Sequence, residues 1–394
     1  MNLRAITFGV CLILLMHKAN AQCGETGTTL LIETEASLLE LAGCDTIYGS
    51  LHIHQWDISD VDALSSLQFV EGDLILEENI SLLNIEGLSA LTHIGGNLEL
   101  ISNFTLASLN GLQNLVYVGG DLRLDGNITL EEIDALSGVT HVGGDIRVME
   151  NHVLQNLHGL SGISAVEGNL ILNEQNLILN SLQGLSNVTS VGGALFISLP
   201  ALLSLDGLQN LTWVGGDLEI RDMVLLANVN PLESLISIGG TLTIAQNSSM
   251  VHINGLYSLE SVGQNLSIHN NTALGTCCGV LPVIEEDGVF GTVMLNLNGN
   301  GCNTIEEIAL DCAELIGEHS LPELTVVVNQ HQKHVRVTCT EDGVYRLWSA
   351  DGRIHETGKV NKGEQQIIQL PSAGIFGVTM VTQDVALTRK VAIL

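Results

Sequence analysis

A pair of glycines, followed by an acidic or amide residue and then by alternating apolar residues, recurs along this chain every 23 to 25 residues. One copy reads Gly119-Gly120-Asp121-Leu122-Arg123-Leu124. The second glycine, or the residue that replaces it, stands at positions 49, 72, 96, 120, 144, 168, 193, 216, 240 and 264. Ten copies at this spacing are incompatible with a globular core around one cleft. They predict a solenoid, in which each repeat buries its apolar side against its neighbours.

The residues within a repeat predict short strands and turns. Leu122 and Leu124 alternate with polar residues, which is the pattern of a half-buried strand. Further along, apolar residues recur at every third position from Leu130 to Val142, and the stretches between glycines are too short for ordinary helices. Each repeat is therefore predicted to be a coil of short strands that stack into parallel sheets. The glycine pairs are expected to supply positive φ angles or close backbone approach at a corner.

An asparagine usually follows the second glycine by seven residues. It occurs at Asn79, Asn103, Asn127, Asn151, Asn247 and Asn271, and one place later at Asn176. Stacked amides of this kind can form hydrogen bonds from one coil to the next. We therefore predict a structural amide ladder, interrupted where Trp56, Pro200 and Met223 take the place of the asparagine.

Two known families have a similar repeat length and pattern. Leucine-rich repeats share the L-x-L-x-x-N-x-x-L segment and a period of 20 to 29 residues. The Gly-Gly-Asp-Leu corner more closely resembles the receptor L domain of growth-factor and insulin receptor ectodomains. Residues 41–53 are similar to that family's opening, and the cysteines from Cys277 to Cys312 are similar to its close. The resemblance covers roughly residues 23–316. It implies an all-β, single-stranded, right-handed parallel β-helix solenoid of about ten 24-residue coils, but no particular ligand.

The first residues of the chain indicate export. Residues 1–21 have the pattern of a secretory signal peptide, with Arg4, an apolar stretch and an A-x-A cleavage site at Ala19-Asn20-Ala21. The apolar stretch is too short to span a membrane, and we expect no transmembrane segment elsewhere. The predicted domains are therefore the signal peptide, the L-domain-like β-helix over residues 22–316, and a C-terminal domain over residues 317–394.

Six cysteines lie at the two ends of the predicted solenoid. These disulfide candidates are Cys23, Cys44, Cys277, Cys278, Cys302 and Cys312. Disulfides would close the open ends of a β-helix, and an exported chain permits them. The alternative is a four-cysteine zinc site, although the chain lacks the two C-x-x-C pairs typical of one.

Charge separates the two predicted domains and limits their partners. Residues 22–332 contain 38 acidic side chains and three arginines, whereas residues 333–394 contain eight basic and six acidic side chains. A strongly acidic surface repels phosphates, so we expect neither nucleic acid nor an anionic membrane as partner.

The C-terminal domain loses the 24-residue period. Strand patterns with turn residues between them predict a small antiparallel β-sandwich. Residues 349–353, 370–376 and 389–391 resemble segments of the C-terminal sorting domain of the type IX secretion system of Gram-negative bacteria. That resemblance implies that residues 317–394 are recognised by the type IX export machinery, and that the mature protein is secreted or displayed on the outer cell surface of a Gram-negative bacterium.

The outward positions of the predicted strands contain the candidate binding site. All three arginines of the solenoid, Arg123, Arg147 and Arg221, lie on one strand face, and pairing with Asp121, Asp145 and Glu219, two residues before them, is the simplest interpretation. The alternative is a recognition surface, because arginine and aromatic residues dominate interface energetics. The candidate ligand-binding residues, called the sheet-face patch below, are Arg123, Arg147, Met149, Ile171 and Phe196.

Signals for catalysis or metal binding are weak. His52 and His54 share a strand face but lack a third ligand. The position after the glycine pair holds aspartate in only some of the repeats, which is too irregular to predict a calcium site. No nucleophile, zinc-protease, phosphate-loop or dinucleotide motif occurs. We therefore expect no enzyme activity, no metal and no cofactor.

The leading hypothesis is an exported binding or adhesion protein that recognises an extracellular protein or glycan through its sheet face. The alternatives are a β-helix polysaccharide lyase or hydrolase, for which Arg123 and Arg147 lie near Asp125, and a purely structural surface spacer.

Overall fold

The computed structural model describes residues 21–173 and 175–315, and the C-terminal segments 325–329, 334–338, 343–349, 354–361, 365–369, 374–381 and 386–393. The chain divides into two compact units between Asp311 and Cys312. The predicted signal peptide, apart from Ala21, lies outside the described residues. No helix in the described ranges is long and apolar enough to cross a membrane.

The first unit is a stack of coils. In chain order its strands are β1 (Ala21–Ile32), β2 (Cys44–Ile53), β3 (Phe69–Val70), β4 (Leu74–Glu77), β5 (His93–Ile94), β6 (Leu98–Ile101), β7 (Tyr117–Val118), β8 (Leu122–Asp125), β9 (His141–Val142), β10 (Ile146–Met149), β11 (Ala165–Val166), β12 (Leu170–Asn173), β13 (Ser190–Val191), β14 (Leu195–Ile197), β15 (Trp213–Val214), β16 (Leu218–Arg221), β17 (Ser237–Ile238), β18 (Leu242–Ala245), β19 (Ser261–Val262), β20 (Leu266–His269) and β21 (Val293–Asn296). The α-helices are α1 (Glu35–Leu39), α2 (Leu281–Glu285) and α3 (Ile305–Leu315), the last of which contains the boundary between the two units.

The strands form two walls of parallel pairs. The long-strand wall has the order β21-β20-β18-β16-β14-β12-β10-β8-β6-β4-β2. The two-residue strands form the short-strand wall, in the order β3-β5-β7-β9 and then β11-β13-β15-β17-β19. Each strand pairs in register with the strand one coil away, so Leu122 lies beside Leu98 and Ile146. The predicted parallel solenoid is confirmed.

The third side of most coils is a short 3-10 helix, where the sequence predicted only turns. These helices span Asp62–Leu64, Glu86–Leu88, Asp134–Gly138, His158–Leu160, Gln183–Leu185, Asn230–Leu232, Asn254–Leu256 and Cys278–Val280. A 3-10 helix has three residues per turn, so residues at every third position point the same way. Leu136 within Asp134–Gly138 is fully buried, as are Leu130 and Ile133 in the segment that leads into the helix.

Each glycine pair meets the coil before it. A Cβ atom at Gly119 would lie 2.2 Å from the carbonyl oxygen of Gly95, and one at Gly143 would lie 2.2 Å from that of Gly119. Close backbone approach therefore explains the glycine at this corner. Positive φ angles occur instead at the opposite corner, at non-glycine residues such as Glu78 and Ser102.

The predicted amide ladder is confirmed. It lies inside the corner that follows each long strand. Asn79, Asn103, Asn127 and Asn151 are completely buried. The Oδ1 of each accepts a hydrogen bond from the backbone N–H one coil earlier, and the Nδ2 donates to a carbonyl of the earlier coil, as Asn103 does to Leu76 at 2.9 Å. Two predicted ladder positions are corrected by one residue. In the first coil the position is Gln55 rather than Trp56, because the backbone N–H of Gln55 donates to Asn79 Oδ1 at 2.9 Å. In the seventh coil it is Leu199 rather than Pro200, because the backbone N–H of Leu199 donates to the Sδ of Met223 at 3.0 Å.

Disulfides close the two ends of the solenoid. Cys23 bonds to Cys44, which fastens β1 to β2, and Cys277 bonds to Cys302. Cys278 and Cys312 are also disulfide-bonded. None of these six sulfurs is a free thiolate, so the alternative of a four-cysteine zinc site is wrong.

The second unit contains antiparallel strands in two sheets. Its strands are β22 (Thr325–Asn329), β23 (His334–Thr338), β24 (Gly343–Ser349), β25 (Ile354–Val360), β26 (Gln365–Gln369), β27 (Gly374–Val381) and β28 (Ala386–Ile393). The sheet orders are β22-β23-β26 and β25-β24-β27-β28. The antiparallel pattern is as predicted, and packing of the two sheets into a sandwich stays a prediction. Residues 350–353 and 370–373, which carry much of the sorting-domain resemblance, lie outside the described residues.

Tyr345 gives this unit a predicted sensitivity to alkali. Its ring is almost completely buried, and its hydroxyl donates to Glu356 Oε1 at 2.6 Å. Burial, and then this hydrogen bond, raise the pKa of Tyr345 from 10.0 to about 12. The unfolded chain loses the proton first, so the stability contributed by this group is complete below pH 10 and is lost as pH rises through 12.

We expect the unfolding midpoint of the second unit, followed by near-ultraviolet circular dichroism of the full chain, to fall over this pH window. The Tyr345→Phe variant keeps the ring but has no ionisable hydroxyl, so its midpoint should fall less. An equal fall in both proteins would contradict the assignment.

Candidate binding surface

The outward face of the long-strand wall carries the candidate site. Along most strands of this wall, buried apolar residues alternate with half-buried outward ones, as in Leu122, Arg123 and Leu124 of β8. In-register pairing then aligns the outward residues into rows across the coils. The central row, confirmed as predicted, reads His52, Ile75, Glu99, Arg123, Arg147, Ile171, Phe196, Glu219, Thr243 and Ser267.

Four residues of the sheet-face patch are consecutive in that row. Arg123, Arg147, Ile171 and Phe196 lie on β8, β10, β12 and β14, and all four are half-buried. Neighbouring strands are about 4.8 Å apart, so these side chains cover about 14 Å of the face. The structure thus brings two guanidinium groups and two apolar side chains into one continuous line.

Asp125 connects the two arginines. Its Oδ2 pairs with the Nε of Arg123 and with the Nε of Arg147, the latter at 2.8 Å. Arg123 also pairs with Glu99 at 3.6 Å. The hydrogen bond to Asp125 raises the pKa of Arg123 above its usual value, with the charges of Asp125 and Glu99 acting in the same direction and burial opposing them.

The predicted pairing with acids two residues earlier is correct for one arginine and wrong for two. Arg221 pairs with Glu219 at 3.1 Å, and Asp222 lies at 3.8 Å. Arg123 and Arg147 pair with Asp125 instead, because the acids that precede them are already engaged.

Those preceding acids form a second hydrogen-bonded ladder at the glycine corner. Asp121 Oδ1 accepts from the backbone N–H of Asp145 at 2.8 Å, and Asp145 Oδ1 accepts from that of Asn169 at 2.7 Å. Asp73 and Asn97 do the same in earlier coils. The signal in the sequence is the acid or amide that follows most of the glycine pairs.

Met149 requires a correction to the sheet-face patch. It lies in register between Asp125 and Asn173, on an outward row as predicted. However, only 9% of the residue is exposed, so it adds little to the accessible surface. The accessible part of the patch therefore consists of Arg123, Arg147, Ile171 and Phe196.

Two further rows were missed as surface features. Phe69, His93, Tyr117 and His141 form a row of adjacent rings on the short-strand wall, with centroids 6.4, 5.9 and 4.8 Å apart. Their signal is a ring two positions before Glu71-Gly72 and before each of the first three glycine pairs that follow. Because the rings lie against one another, the row joins coils as well as presenting surface.

The other missed row is apolar and exposed. Trp56, Ile80, Phe104 and Ile128 each follow a ladder position by one residue, and each is at least 38% exposed. The first three line a shallow cavity of about 280 Å³ together with Glu78. The sequence signal is an apolar residue directly after the ladder position. Because the ladder side chain points inward, the residue that follows it points outward.

Comparison with known proteins supports the L-domain-like interpretation of the first coils. Residues 43–154 match the family model described as Receptor L domain. The matched range begins just before β2 and includes Arg123, Arg147 and Met149, whereas Ile171 and Phe196 lie beyond it. None of the curated proteins compared matches the sequence. The fold and this match together support a receptor L-domain-like solenoid and suggest a role in binding rather than catalysis.

Proposed function

We propose that this chain is an exported binding protein whose long-strand wall recognises an extracellular partner, either a protein or a glycan, through the sheet-face patch. The observation that carries the proposal is the unbroken row of Arg123, Arg147, Ile171 and Phe196 on four adjacent strands. Arginine and aromatic side chains contribute most to interface energies, and here they lie on a regular, rigid sheet rather than on loops.

Electrostatics support the choice of this row. Elsewhere the solenoid is acidic, within a chain of formal net charge −31, whereas in the patch two arginines balance Asp125 and Glu99. The ion pairs with Asp125 engage the Nε of each guanidinium. The Nη atoms carry four further N–H donors on each guanidinium, and apart from the Nη1 of Arg123 that faces Glu99 they suit carboxylates or sugar hydroxyls of a partner.

The same geometry disfavours the lyase alternative. A lyase needs a neutral arginine or lysine to remove a proton, and its pKa must lie near the working pH. The ion pair with Asp125 acts in the opposite direction and raises the pKa of Arg123. A structural spacer, the remaining alternative, predicts that the patch binds nothing.

Export is part of the proposal. It is supported by the signal-peptide pattern of residues 1–21, by disulfides at both ends of the solenoid and by the sorting-domain resemblance of residues 317–394. We infer delivery to the outer cell surface or the medium through type IX machinery.

A double substitution tests the binding role. Arg147→Ala with Phe196→Ala removes both side-chain types, and loss of two interface residues of this kind should weaken binding at least about 30-fold. Ligands would be selected with the full chain from a glycan array and from a displayed random-peptide library, and affinities measured by surface plasmon resonance.

The control is Trp213→Ala, which removes an exposed aromatic side chain from the short-strand wall, away from the sheet-face patch. The control should bind as the unmodified chain does. If selected ligands bind the patch variant with unchanged affinity, the sheet-face patch is not the binding site. If neither library yields a ligand, the spacer alternative is favoured.

A further inference from the structure

We propose that His52, His54 and Glu77 form a binding site for a divalent transition-metal ion of the zinc class. The site lies near the first end of the long-strand wall. It is separate from the sheet-face patch, and it is independent of the proposed function.

Strand pairing brings the three residues together. His52 is in β2, and His54 follows the end of that strand by one residue, so both point to the outward face. The backbone N–H of His54 donates to Ile32 of β1 at 3.1 Å, which holds that residue in line with the strand. Glu77 ends β4, the next strand of the wall, and His52 pairs with Ile75 two residues before it. The third ligand thus comes from the neighbouring coil, where the order of residues along the chain gives no hint of it.

The donor atoms are close enough to share one ion. One ligand atom from each of the three residues lies within 4.8 Å of the others, and all three residues are half-buried. His52 Nε2 is 3.2 Å from Glu77 Oε2. Two ligands at zinc bond lengths of 2.0 to 2.1 Å, in tetrahedral geometry, are about 3.3 Å apart. The imidazole rings have centroids 6.0 Å apart at an interplanar angle of 62°, an edge-on arrangement rather than a face-to-face stack.

Two nitrogens of the cluster have unused bonding capacity. His52 Nε2 and His54 Nδ1 are shielded from water and make no hydrogen bond among the described residues. Such atoms are uncommon in folded proteins because each loses its bond to water without gaining another. An ion pair of protonated His52 with Glu77 would account for the 3.2 Å contact, but it would leave His54 Nδ1 unsatisfied. A metal ion accounts for both nitrogens at once.

The donor set defines the kind of ion. Two imidazole nitrogens and one carboxylate oxygen suit Zn²⁺ and its neighbours, whereas Ca²⁺ and Mg²⁺ prefer sites built from oxygen alone. Three protein ligands leave the fourth tetrahedral position for water or for a donor atom of another molecule. The acidic surface of the solenoid raises the local concentration of cations.

Zinc titration of the full-length, tag-free chain tests the site. Isothermal titration calorimetry with ZnCl₂ should show one binding event that is absent in His52→Ala/His54→Ala and weakened at least about tenfold in Glu77→Gln. Replacement by Co²⁺ should give the intense visible absorption of a four-coordinate ion. CaCl₂ should not compete.

The matched control is His269→Ala, because His269 belongs to the same outward row as Glu77 but lies near the other end of the wall. This variant should bind zinc as the unmodified chain does. Equal stoichiometry and affinity in the unmodified chain and the double variant would overturn the proposal, as would an equal loss in the control. If circular dichroism shows that the double variant is misfolded, Glu77→Gln decides the question, since it retains the shape of the side chain.

Discussion

Replacing Asn127 with leucine is expected to lower the free energy of unfolding by about 3 to 5 kcal/mol, because it leaves several buried polar groups without partners. Asn127 is completely buried. Its Oδ1 accepts hydrogen bonds from the backbone N–H of Asn103 at 3.1 Å and from Asn103 Nδ2 at 3.2 Å, and its Nδ2 donates to the carbonyl of Leu100 at 2.7 Å. Leucine keeps the branching at Cγ but is larger, so the loss combines missing hydrogen bonds with a smaller cost of overpacking. Urea denaturation of the full chain measures it.

Two comparisons sharpen this experiment. Asn114→Leu removes an exposed amide that donates to Ser89 at 2.8 Å, and it should cost less than about 1.5 kcal/mol. Asn127→Met should cost less than Asn127→Leu, because the chain itself uses Met223 in this ladder and its sulfur accepts a backbone hydrogen bond. A leucine variant no less stable than Asn114→Leu would mean that the buried ladder contributes little.

The second large effect is expected at the glycine corner. In Gly119→Ala, the new Cβ would lie 2.2 Å from the carbonyl oxygen of Gly95, and no side-chain rotation relieves a contact with backbone. Neighbouring coils must separate or tilt, and the parallel hydrogen bonds beside the corner would weaken. We expect a loss of about 3 kcal/mol or more, measured by the same denaturation experiment.

Gly275→Ala provides the control for backbone entropy. At Gly275 the nearest atom to a new Cβ would be 3.8 Å away, and its φ is not positive. This variant should be neutral or slightly stabilising, by up to about 1 kcal/mol. If Gly119→Ala proved as harmless as Gly275→Ala, the stack would be more compliant than its close contacts indicate.

The in-register pairing of strands from successive coils explains how much of the surface could be predicted. In a parallel stack with a 24-residue period, residues one period apart must be neighbours, so the row containing Arg123, Arg147 and Phe196 follows from counting along the chain. The buried ladder of Asn103 and Asn127 follows in the same way. The 3-10 helices were missed because a spacing of three is compatible with both turns and 3-10 helix when it lasts only a few residues.

Contacts between side chains on adjacent coils could not be predicted in this way. Counting places Asp125 beside Met149 and diagonal to Arg147, but it does not indicate that one carboxylate pairs with two guanidinium groups. Nor does it indicate that Met149 is almost covered. These outcomes depend on rotamers and on competition among neighbours for each acid, as the engagement of Asp121 and Asp145 by backbone N–H groups illustrates.

The sequence by itself determined the stacked coils, the walls of parallel strands, the buried amide ladder and the side of each coil that faces outward, because all of these depend on periodicity alone. The tertiary structure decided which outward side chains act together. Glu77 lies with His52 and His54, and Asp125 pairs with Arg123 and Arg147, because strands about 4.8 Å apart place diagonal neighbours within reach of long side chains. That reach is a property of the folded stack, and it leaves no trace in the spacing of residues along the chain.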